Sequence, residues 1–171
     1  MGLDCWDIER DARLWPGGNP CIAHPPCRAW GQLSQMAKPR PDEKELAIYS
    51  IEMIRKHGGV LEHPRGSRLW KHMNLPMPGQ VDEYGGFTVC LDQFSFGHKA
   101  KKRSLIYICG CQLTDLPPIP ICLDAVMYTV SSKIKKYTGR RVKKEITKKE
   151  REETPIDFAK WLINVAQLTH S

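Results

Sequence analysis

Two residues near the ends of short apolar stretches could do chemistry together. Cys27 closes the run Ala23-His-Pro-Pro-Cys27, and Glu62 lies in Leu61-Glu-His-Pro64. A thiolate is a strong nucleophile. A carboxyl whose pKa is raised toward neutrality is a proton donor. Placed across a planar ring, the pair suits addition to carbon 6 of a pyrimidine. Sulfur bonds to carbon 6, the carboxyl protonates or hydrogen-bonds ring nitrogen 3, and carbon 5 becomes an enamine carbon. One hard step is thereby split into two easier ones. The chemistry predicts a raised pKa for Glu62 and a partly ionised Cys27. The positive charge for that ionisation would come from Arg28 next to it, or from His24 and His63 nearby in the chain.

The elements that must position these residues follow from apolar spacing and from chain breakers. Residues 19–24 read as a short buried strand halted by Pro25 and Pro26. Asp42 can cap a helix reaching His57, with Leu46, Ile48, Ile51 and Ile54 at helical spacing and Gly58-Gly59 as its stop. Val60 and Leu61 begin a second strand ending at Pro64. Ser67 can cap a short helix through Met73. Two further strands are predicted, Phe87 to Leu91 and Ser104 to Cys109. Thr154 is placed as the N-cap of a last helix, with Pro155 at its first position and Phe158, Trp161, Leu162 and Val165 on its apolar face.

Strand, helix, strand in that order predicts an α/β chain with a short, mostly parallel sheet, a Rossmann-like three-layer fragment. In open sheets of this kind ligands sit outside the carboxyl ends of strands. Cys27 and Glu62 both fall at such ends, so neighbouring strands would put them on one rim.

These segments, in this order, resemble the cytosine carbon-5 DNA methyltransferases. Ala23-His-Pro-Pro-Cys27 is similar to that family's Pro-Cys nucleophile loop. Leu61-Glu-His-Pro64 is similar to its Glu-Asn-Val or Glu-Asn-Pro segment, with His63 where asparagine is usual. Phe96-Gly97, a basic run and then Leu105 to Cys109 resemble the later segment, in which Gln-x-Arg-x-Arg precedes a strand. The wording is more similar still to phage-type methyltransferase-like proteins, and the resemblance spans about residues 19 to 120. The resemblance implies a DNA-modifying transferase with Cys27 as nucleophile and Glu62 on ring nitrogen 3. It also implies base flipping on duplex DNA, and S-adenosylmethionine as cofactor. It divides the chain into a methyltransferase-like core over 1–125 and a basic segment with a C-terminal helix, packed on the same domain, over 126–171.

The sequence departs from the family in two places. Ala100, Lys102 and Ser104 stand at the Gln and Arg positions of the later segment. No Phe-x-Gly-x-Gly loop follows a first strand, and such a loop is what lets backbone approach the cofactor. Trp15-Pro-Gly-Gly18 has glycines but follows no strand, so it reads as a turn. Three alternatives to a complete methyltransferase therefore stay open. One is a non-catalytic module binding nucleic acid or a partner protein. Another is a cofactor-independent modifier of hydroxymethylated pyrimidines. The third is a subunit whose missing cofactor-binding half comes from a second chain.

Charge supports a polyanionic partner. The formal net charge is +7, and such surfaces favour nucleic acid as well as simple solubility. Arg28, Lys101, Lys102, Arg103, Arg140, Arg141, Lys143 and Lys144 are the candidate contacts to phosphate or base edges. Trp30 and Tyr137 are candidate stacking groups. Cys21-x-x-His24-x-x-Cys27 matches no common zinc module, so no metal site is expected. The seven cysteines, odd in number and irregular in spacing, are expected to be mostly reduced. No run approaches the length of a membrane span, and the N-terminus is charged rather than apolar, so a cytoplasmic protein is expected.

Overall fold

The structure, a computed structural model, describes residues 3–31, 34–130 and 144–169. Strand β1 is Cys21–Ala23, helix α1 is Glu43–His57, and strand β2 is Gly59–Pro64. Ala47, Ile51 and Ile54 are fully buried along one side of α1, and Arg55, Lys56 and His57 complement its carboxyl end. Gly58 ends the helix at φ +79°, its N–H donating to the Ile54 carbonyl at 2.9 Å. Gly59 then starts β2 so close to β1 that a Cβ would lie 2.1 Å from the Cys21 carbonyl oxygen. Only glycine permits that approach. The two strands pair in parallel, Cys21 with Gly59 and Ala23 with Leu61.

The short helix α2 (Leu69–His72) follows, and then strands β3 (Phe87–Asp92) and β4 (Arg103–Cys109). The sheet order is β1-β2-β4-β3. It is mixed rather than mostly parallel: β4 lies between β2 and β3 and runs antiparallel to both. Between β3 and β4 lies only a 3-10 turn, Gln93–Phe96, and a short loop. That link lacks the crossover helix a parallel neighbour needs, so the strands fold back as a hairpin.

Two helical layers cover the sheet. On one face α1 packs with Leu61, Leu69, Trp70, Leu105 and Tyr107. On the other, helix α4 (Ile156–Leu168) sets Phe158, Trp161, Leu162 and Val165 against Val60, Ile106 and Ile108. Adjacent residues thus face opposite layers, Val60 toward α4 and Leu61 toward α1. The helix starts one residue later than the capping signal predicts, with Pro155 rather than Thr154 at the cap. Strands β5 (Tyr128–Thr129) and β6 (Lys144–Glu145) form a small parallel pair, and α3 (Lys148–Glu152) follows. No helix among the described residues is long and apolar enough to cross a membrane.

The α1-side core contains one buried polar pair, Trp70 Nε1 donating to Thr88 Oγ1 at 3.0 Å. Thr88→Val keeps the shape and strips the acceptor. It is expected to cost about 1–3 kcal/mol, read as a lower urea midpoint at unchanged slope.

Candidate active site

The carboxyl ends of β1 and β2, the end of β3 and the start of β4 meet at one rim of the sheet. The register sets Glu62 beside Ile106 and Pro64 beside Ser104. Glu62 follows Val60's parity and so faces the α4 side. Its side chain is 12% exposed. Oε2 lies 3.2 Å from His24 Nδ1. Oε1 accepts from Ser104 Oγ, and from Gln93 Nε2 at 3.2 Å. Gln93 Nε2 also donates to Ser104 Oγ at 2.9 Å. Both Gln93 and Ser104 are buried, and Gln93 Oε1 has no protein partner.

These contacts overturn one expectation. Burial alone would raise the Glu62 pKa, but the bonds from His24 and Ser104 and the charges of His24 and Lys102 hold it below the usual carboxylate range. Glu62 is therefore a carboxylate at neutral pH, an acceptor and not a ready acid.

Cys27 is exposed as a residue and begins the turn after β1, its carbonyl accepting from Trp30 and Gly31. Its sulfur is partly withdrawn from water, which pushes the thiol up. A backbone hydrogen bond opposes this, the Glu62 charge adds to it, and the Lys102 and Arg28 charges pull back. The net direction is upward, so thiolate is a minor species at neutral pH. Burial pushes Lys102 down, against Glu62, Cys27 and Glu152. Its Nζ donates to the Glu153 carbonyl at 3.2 Å. Thiol, carboxylate and ammonium thus share one electrostatic field at the rim.

The other predicted residues separate into different roles. Arg28 pairs with Glu43 and stands farthest down the order of charges acting on Cys27. Glu43 is fully buried, so that guanidinium neutralises an interior carboxylate. Lys101 and Arg103 are exposed, and Arg103 Nε lies 3.9 Å from Asp92. Lys144 is exposed on β6, where it pairs with Tyr128 of β5. Arg140, Arg141, Lys143 and Tyr137 lie outside the described residues. Trp30 is 5% exposed and packs in the α1-side core against His72, so it is not a stacking platform.

His63 offers no charge to the thiol. It is fully buried, neither ring nitrogen has a protein partner, and burial brings its pKa down to about 4. Between about pH 6.5 and 4 the unfolded chain takes up a proton that the folded chain refuses. Stability is therefore expected to fall with pH across that window, by up to about 3 kcal/mol. Urea unfolding of His63→Asn, measured from pH 7 to 4, is expected to show a flatter dependence than the wild type.

Beside β1, between α1 and α4, lies a cavity of 710 Å³. Tyr49 and Met53 form one wall, Leu162 and Ile163 another, and Trp6 and Trp15 close it from the N-terminal segment. His24 borders this cavity as well as bonding Glu62.

Trp15-Pro-Gly-Gly18 does not form a cofactor cradle. A Cβ on Gly17 would lie 2.3 Å from His57 Nε2, and the Gly18 N–H donates to His57 Nδ1 at 3.2 Å. The glycines are used to seat a protein ring. The described residues therefore do not fit the glycine loop that the resemblance associates with S-adenosylmethionine, and no methyl-transfer step follows from them. Among the described residues no three His, Cys, Asp or Glu side chains gather to hold a metal ion.

Gln93 escapes sequence reading, since a lone amide before Phe94 gives no signal. Ser104 registers only as a missing arginine, and His24 only as nearby charge. No protein-family profile, curated protein or solved structure matches the chain.

Proposed function

We propose that this rim is the active site of an enzyme that modifies carbon 5 of a pyrimidine in DNA, with Cys27 as nucleophile and Glu62 gripping the base edge. One observation carries the proposal. A carboxylate bound by His24, Ser104 and Gln93 sits at the carboxyl ends of parallel strands, in the same field as a cysteine sulfur and the Lys102 amine. The β1-α1-β2 unit, with helices on both faces, supports a Rossmann-like affinity for the fold.

The Cys27 thiolate adds to carbon 6, and the electron pair moves toward nitrogen 3 and carbon 5. Glu62 accepts from the exocyclic amine of cytosine while nitrogen 3 gains a proton. Carbon 5 then takes an electrophile or a proton, carbon 5 loses its original hydrogen, and sulfur leaves by elimination.

A methyl group would have to reach carbon 5 with S-adenosylmethionine carried by a second chain. The absent glycine cradle favours a second form of the same reading. On a ring that already bears a 5-hydroxymethyl group, sulfur addition would let the protonated hydroxyl leave as water, an incoming nucleophile would add to that exocyclic carbon, and elimination of the sulfur would restore the ring.

The chemistry can be tested without a cofactor. In heavy water, a single-stranded oligonucleotide with one deoxycytidine should exchange its carbon-5 hydrogen for deuterium, followed by proton NMR. Exchange only in the presence of the protein supports an active site. An absence of exchange, with the oligonucleotide bound, favours a non-catalytic binding module.

Lys101, Arg103 and Lys144 are proposed as phosphate contacts, as are Arg140, Arg141 and Lys143, which lie outside the described residues. Lys101→Glu with Arg103→Glu is expected to weaken single-stranded DNA binding at least tenfold. The slope of log affinity against log salt should shrink by about 1.4, at about 0.7 per contact on single strands. Fluorescence anisotropy over a salt series measures both.

A further inference from the structure

Sulfur addition leaves negative charge on the ring, and nitrogen 3 collects it. A proton must arrive there, yet Glu62 is held as a carboxylate. A side chain that can hold a proton and touches Glu62 itself can supply it. Ser104 and Gln93 occupy Oε1, leaving Oε2 for the ring edge and for one more partner. That partner is His24, Nδ1 to Oε2 at 3.2 Å. His24 is 40% exposed against 12% for Glu62, so it reaches solvent on one side and the carboxylate on the other. Its place at the end of β1, just before Pro25-Pro26, fixes its backbone.

We propose that His24 is the proton store of the site, passing a proton from its Nδ1 through Glu62 Oε2 to ring nitrogen 3 as the sulfur–carbon bond forms. The inference rests on the proposed pyrimidine chemistry and names its acid. Before the step there are a thiolate, an imidazolium, a carboxylate and a neutral ring. Afterwards there are a sulfur–carbon 6 bond, a protonated nitrogen 3, a neutral imidazole and the same carboxylate. The net charge is unchanged, and water reprotonates the imidazole from its exposed side. Glu62 conducts the proton without storing it. His24 touches no reacting atom, so it is a positioning and proton-supplying residue rather than a catalytic one.

His24 bonds Glu62 from β2, its charge also reaches His63 on the other face of that strand, and Lys102, just before β4, acts on the same Glu62. Asp4 and Cys5 line the same cavity as His24. An imidazole can both hold a proton and pass it on. Without His24 the proton for nitrogen 3 has to come from water, and exchange depends on the thiolate alone.

The test is carbon-5 hydrogen exchange from pH 5.5 to 9, in wild type and His24→Asn. Asparagine can still donate to Glu62 but stores no proton. The variant is expected to bind the oligonucleotide as the wild type does. It should exchange about 100-fold more slowly at pH 6, in line with the loss of general acid–base help. Its pH profile should differ in shape from that of the wild type, following the thiolate alone, and added imidazole should restore part of the rate in His24→Ala. An active wild type with a His24→Asn variant equal in rate and profile overturns the proton-store role alone. A wild type that binds but exchanges nothing overturns the pyrimidine chemistry beneath it.

Discussion

Cys27→Ser should lower the rate of carbon-5 hydrogen exchange by at least about 1000-fold while leaving oligonucleotide affinity unchanged. Without the covalent step the ring never becomes an enamine, and carbon 5 has no route to exchange. Serine keeps the size and the hydrogen-bonding capacity of the position, but its hydroxyl is a far poorer nucleophile. Cys27 is exposed at the head of a turn whose bonds use its backbone carbonyl, so the substitution leaves the turn in place. The alternative of a pure binding module predicts no exchange in either protein and equal binding. The six other cysteines do not share the position. Cys90 lies exposed on β3, and Cys109 is buried in the α1-side core.

Glu62→Gln should lower the same rate by about 100- to 10,000-fold, the range for losing a positioned acid–base group. The amide oxygen can still accept from Ser104 and Gln93, so the local fold persists. What disappears is the second carboxylate oxygen, which receives from His24 and faces the base. The variant has a second signature of opposite sign. Glu62's charge helps keep the Cys27 thiol up, so its removal should make the thiol more acidic. Alkylation of Cys27 by iodoacetamide at pH 7.5 should then speed up while exchange collapses. A structural collapse of the site would not produce that pair of changes.

Much of the frame that holds these groups was legible in the chain. Leu46, Ile48, Ile51 and Ile54 fall at helical spacing and Gly58 stops α1, so its limits follow from local rules; Leu46 and Ile48 are half-buried, and Ala47 completes the fully buried stripe. The prolines after His24 and His63 mark strand ends, which is why Cys27 and Glu62 could be set on one rim. The direction of β4 was not legible. Leu105 to Cys109 is apolar on both faces because α1 covers one and α4 the other, and a run buried on both sides reads as a parallel strand. The short link after β3 carried the missing information.

The chemistry of the rim was harder to read. His24 and Glu62 are 38 residues apart in the chain, and nothing local pairs them. Gln93 and Ser104 meet Glu62 only because the antiparallel register of β3 and β4 brings them there. Their bonds invert the expected behaviour of the carboxyl, from raised to lowered pKa. From its position in the sequence His63 reads as a source of charge. Strand alternation turns it to the opposite face, where burial keeps it neutral. The resemblance was carried by the order of short segments, and the Gly17-Gly18 stretch lies against the His57 ring.

The most direct test of the central claim is covalent capture of a base by one sulfur. A single-stranded oligonucleotide bearing a 2-pyrimidinone base lacks the exocyclic amine, which leaves carbon 6 more electrophilic. Incubated with the full chain, digested and mapped by mass spectrometry, it should add its nucleotide mass to the peptide containing Cys27, and not in Cys27→Ser. No adduct, or an adduct spread over Cys5 and Cys90, would contradict a site in which Cys27 and Glu62 close on a pyrimidine.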